Sequence, residues 1–68
     1  MEMMQFEKAK VDFERCIILD PKAGELRRFL ALSELGMNDI SRACINLNLA
    51  KDLGDKGALI LIDENCEK

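Results

Sequence analysis

Histidine, tryptophan and tyrosine are absent from the 68 residues, and proline occurs once. Without histidine the chain lacks the commonest general base and metal ligand at neutral pH. No Cys-x2-Cys pair exists among Cys16, Cys44 and Cys66, so a zinc site is not expected. No apolar run exceeds Ala58 to Ile62, far below the roughly 20 residues a membrane span requires. No block of like charge exceeds two residues, and the net charge of -3 leaves no basic patch to neutralise nucleic-acid phosphates. Residues Met1 to Lys10 lack the apolar stretch of a secretory signal, so a cytoplasmic location is expected.

What is present is the composition of a folded protein, with 49% hydrophobic and 34% charged residues. A domain this short buries only about 60% of the surface its unfolded chain exposes. It needs an additional source of stability, such as a disulfide, very regular helix packing or oligomerisation.

The dominant pattern is a repeat at a separation of 34 residues. Met3, Phe6, Ala9, Phe13, Cys16 and Leu19 pair with Met37, Ile40, Ala43, Leu47, Ala50 and Leu53, and every pair is apolar. Within each copy the steps are three or four residues, which places the set on one face of a helix. Lys8 with Arg42, Asp12 with Asn46 and Lys22 with Lys56 extend the agreement to the polar side. Breakers divide the chain. Pro21 closes the first helix, because it cannot donate into a continuing helix and restricts Asp20 before it. Gly36-Met37-Asn38-Asp39 forms a second turn, with Asn38 or Asp39 as the next cap. At Leu53-Gly54-Asp55, Gly54 is suited to a left-handed C-terminal conformation and Asp55 to capping the last helix. The pattern predicts four helices, at about 2–19, 22–35, 40–53 and 56–66, with short connections that make sequential helices antiparallel neighbours.

Ala9, Phe13, Cys16 and Pro21, and again Ala43, Leu47 and Ala50, stand at the second-helix spacings of the tetratricopeptide repeat, a 34-residue antiparallel helix pair that the chain resembles. Asp55 replaces the proline of the second copy. In the first-helix pattern Leu30 and Ala31 match the Leu-Gly pair, while Arg27 and Glu34 occupy the aromatic positions. The segment from Arg42 to Cys66 looks like the terminal unit of bacterial members. The resemblance implies an all-α single domain of about one and a half units: a half repeat at 2–21, a full repeat at 22–55 and a capping helix at 56–66. It further implies a protein-binding scaffold, with Glu25, Arg28, Leu32 and Leu35 facing a concave groove, joined by Leu59 and Ile62.

Candidates for chemistry are few. Pairs such as Asp63-Glu64, Asp12 with Glu14 and Asp52 with Asp55 fall on polar faces or caps, where nothing parts their pKa values, so catalysis and cofactors are not expected. The glycines lack phosphate-loop spacing and read as turn residues. Cys16 takes the small-residue position that Ala50 fills in the other copy and reads as a packing residue. Antiparallel third and fourth helices bring Cys44 and Cys66 close enough for a disulfide, but free thiols are expected in a reducing cytoplasm.

The surplus apolar residues carry more information. Met4, Val11 and Ile18 recur every seven residues as a second stripe on the first helix, and Ile45 and Leu49 lie one turn apart away from the Ala43–Leu47 stripe. Leu59 and Ile60 add an apolar surplus in the last helix. Some of these serve burial between helices, and others form a contact surface, since an apolar patch left in water invites association. The first helix lacks the partner that precedes it in a full repeat, and arrays generally need about three repeats for stability. The expectation is a protein partner or a second copy, with a homodimer favoured, made by stacking chains or exchanging a helix. The alternative is a C-terminal structural fragment or cap of a longer helical array, with no ligand of its own.

Overall fold

The computed structural model describes residues 3–66, with side chains described from Gln5 onward. The sequence-predicted helix start at Glu2 lies outside these residues, as do the side chains of Met3 and Met4. Four helices follow one another: α1 (Met3–Leu19), α2 (Gly24–Gly36), α3 (Ile40–Asp52) and α4 (Gly57–Asn65). No strand occurs among the described residues, so the chain is all-α as the periodicity requires.

The ends of the helices are written in side chains and backbone. Asp20 still donates its N–H to the Cys16 carbonyl at 2.9 Å before Pro21 stops α1. α2 and α3 then end in the same way. Asn38 and Gly54 take positive φ, at 62° and 94°. After α2, Asn38 donates to the Leu35 carbonyl and Asp39 to that of Glu34; after α3, Gly54 donates to Lys51 and Asp55 to Ala50, at 2.8 to 3.0 Å. These paired bonds are the Schellman closure, with Asn38 and Gly54 as the left-handed residues. Asp39 then caps α3 by accepting from the Arg42 N–H at 3.3 Å. Asp55 accepts from the Gly57 N–H at 3.2 Å and so turns the chain into α4.

α2 is the central element, with α1 on one side and α3 on the other, while α4 covers α3 and touches α2. The core joins Ala31, Ala43, Leu47, Ala50, Ala58 and Ile62, with Leu35, Leu61 and Cys66 packed against it. Small side chains on α3 allow a close approach. A Cβ at Gly24 would lie 3.0 Å from the Ala50 carbonyl oxygen, which explains a glycine where α2 begins. On the other side the Phe13 ring stacks on Phe29 with centroids 5.6 Å apart, and the Phe6 ring lies over Gly36.

Three expectations are corrected. Cys16 is exposed rather than packed, and the buried residue at this end of α1 is Ile17. Leu19, placed by the repeat on the inner face, is 85% exposed. α1 turns its side toward α2 alone, so the face defined by Phe6, Phe13 and Ile17 is narrower than the one α3 presents to two helices. Cys44 and Cys66 form a disulfide where free thiols were expected, because antiparallel α3 and α4 bring their Cα atoms to 5.8 Å. No described helix is long and apolar enough to cross a membrane.

Candidate interaction groove

A groove of about 540 Å³ opens between α1 and α3, with α2 as its floor. Ile17 and Ile18 from α1, Leu30 from α2 and Ile45 from α3 supply its apolar lining. Ile18 is 78% and Ile45 61% exposed, so the rims of the groove carry β-branched side chains that leave most of their surface in water. Helix periodicity explains the arrangement: Ile17 follows Phe13 by one turn and points at α2, which swings Ile18 roughly 100° round the axis.

Beneath the rims lies a polar network that the sequence pattern did not reveal. Glu34 is only 2% exposed. Its Oε1 accepts from Asn46 Nδ2 at 2.5 Å, and its Oε2 lies 3.6 Å from Lys10 Nζ. Asn46 Oδ1 in turn accepts from the Arg27 guanidinium at 3.1 Å. One residue of α1, two of α2 and one of α3 are thus tied together. Every buried side-chain polar atom described has a partner, as an interior network must if it is to avoid the desolvation cost of an orphaned group. One signal was available in advance: Glu34 stands three residues after Ala31 and four after Leu30, so it interrupts an apolar face.

Satisfied in this way, the network orients helices and leaves its charges little capacity for a ligand. What the groove leaves exposed beside the network is its apolar rims. Among the described residues no group of three or more Cys, Asp or Glu is placed to hold a metal ion.

The expected contact residues separate into distinct places. Ile18 and Ile45 meet at the groove. Val11 lies in a shallow depression on α1 beside Lys8, Asp12 and Arg15. Leu32 and Leu49 are partly exposed, while Leu59 and Ile60 lie exposed along α4. Met4 falls outside the described side chains. Of the residues expected to face a concave groove, Ile62 is buried in the core and Leu35 is partly buried against it. Arg28 is also engaged: its Nε donates to Asp55 Oδ2 at 2.7 Å, Glu25 lies 3.9 Å away, and its guanidinium covers the Phe29 ring at 5.0 Å. It secures the turn before α4 instead of standing free as a groove cation. Leu19, Ile40 and Leu53 are exposed apolar residues that the contact set omitted, because the 34-residue spacing assigned them to the inner face.

Comparison of the chain with models of known families, with curated proteins and with solved structures finds no match.

Proposed function

We propose that the chain is a small, non-catalytic scaffold of the tetratricopeptide type that binds another protein chain, and that a second copy of itself is the first partner to test. The observation that supports this reading is the pair Ile18 and Ile45, mostly exposed on the two rims of one groove. Apolar rims flanking a prearranged floor lose hydration cost on association, without the cost of ordering a loop. The acidic net charge of -3 supports a protein partner over nucleic acid.

Ile18→Glu combined with Ile45→Lys tests the reading. The double variant is expected to be monomeric where the parent chain associates, with its helical circular dichroism unchanged, because neither side chain belongs to the buried core. Unaltered association in the double variant would remove the groove as the contact surface.

A further inference from the structure

We propose that the Cys44–Cys66 disulfide is a redox latch on α4: oxidised, it holds the helix on α3; reduced, it lets the helix leave while α1, α2 and α3 stay folded.

The case rests on how little else holds α4. The helix has nine residues, fewer than the roughly 12 to 15 at which an isolated helix becomes even marginal in water. The Lys56 side chain does not cap its N-terminus, where the Asp55 carboxylate accepts the one Gly57 N–H bond, and its neighbours are α3 and, slightly, α2. Ala58 and Ile62 are its fully buried side chains, Ala58 contributes little area, and Leu61 is only partly buried against the core. By contrast α2 is packed on both sides and tied to α1 and α3 by the Glu34 network. It does not need α4 to remain in place.

The two ends of α4 are anchored differently. At the root, the Arg28–Asp55 ion pair fixes the turn before the helix, and Gly57 fits closely under Arg28, where a Cβ would lie 2.9 Å from Nε. At the tip, Cys66 follows the last helical turn and its bond to Cys44 is the covalent tie. Opening the bond frees the tip while the root stays pinned, so the helix swings away as a flap. Its departure uncovers the face of α3 around Leu47 that Ala58 and Ile62 now bury.

Both cysteines are half-buried, which leaves the bond within reach of a reductant. The reductant class is a dithiol. Its first thiolate attacks one sulfur, the Cys44–Cys66 bond breaks and a mixed disulfide forms. The second thiolate then displaces the cysteine sulfur, so the protein takes up two electrons and two protons as two thiols and the dithiol becomes a disulfide. A disulfide that opens in this way accords with the transient, regulatory bonds found in reducing compartments.

Native-state hydrogen exchange on the whole chain tests the latch, with and without dithiothreitol, on a Cys16→Ser background that prevents the exposed third thiol from reshuffling the bond. A Cys44→Ser/Cys66→Ser variant repeats the reduced state without reagent. In the oxidised chain α4 amides are expected to be protected like those of α3. After reduction they are expected to exchange within about tenfold of an unstructured peptide, while the amides of Leu30, Ala31 and Leu47 stay protected by roughly 100-fold or more. Three results would overturn the proposal: α4 keeping its protection, all four helices losing protection together, or an intact mass showing that the air-exposed Cys16→Ser chain carries two free thiols.

Discussion

α1 and α3 carry the same apolar spacing 34 residues apart, yet they live in different surroundings. On α3 the middle of the pattern is fully used: Ala43, Leu47 and Ala50 are completely buried between α2 and α4, while Ile40 and Leu53 at its ends stay 39% and 40% exposed, beside the Asp39 cap and the Gly54 closure. On α1 the equivalent Ala9 and Phe13 are half-buried, the equivalent Cys16 is exposed, and Leu19 is out in water. The difference teaches that a repeat pattern records which face a helix can bury, while the number of neighbours decides how much of that face is buried. α3 has two well-packed neighbours and α1 has one.

Substitutions at matched positions can break this comparison. The largest effect is expected for Leu47→Ala. The side chain is fully buried in the main cluster, so its loss should cost about 4 kcal/mol, enough to unfold much of so small a domain in a urea titration. Phe13→Ala, its counterpart on α1, removes a larger side chain but a half-buried one. A loss of about 2 kcal/mol is expected, read in the same titration, and a cost equal to that of Leu47→Ala would erase the distinction between the two helices. Asp39→Ala deletes the side-chain cap of α3 and should lower the unfolding midpoint by the equivalent of about 1 kcal/mol. Cys16→Ser should change stability by less than about 0.5 kcal/mol, since the thiol is exposed, whereas a burial role like that of Ala50 would give a clear loss.

The same contrast explains what could be read in advance. Helix number, order and ends were legible because the signals are local: Pro21, the Asn38-Asp39 and Gly54-Asp55 turns and the three- to four-residue apolar steps act within a few residues of chain. Register at the end of α1 was not, because both 34-residue spacing, pointing to Cys16, and helical spacing from Phe13, pointing to Ile17, are consistent with the sequence. Packing against a single neighbour selected Ile17. The groove was half legible. Ile18 and Ile45 were identifiable as surplus apolar residues, but their meeting depends on the placement of α1 and α3 about α2. The Glu34–Asn46–Arg27–Lys10 network stayed hidden for a related reason: polar residues on three helices look like ordinary surface residues until tertiary packing closes over them. The disulfide was within the geometry anticipated for antiparallel helices, and an assumed reducing environment pointed the other way.

The claim that the uncovered side of α1 and the rims of its groove exist for contact with another chain is tested most directly by sedimentation equilibrium of the unaltered protein across micromolar concentrations. The account predicts a mass that climbs from monomer toward dimer, accompanied by a thermal midpoint that rises with concentration. A monomeric mass throughout, with cooperative unfolding independent of concentration, would contradict self-association.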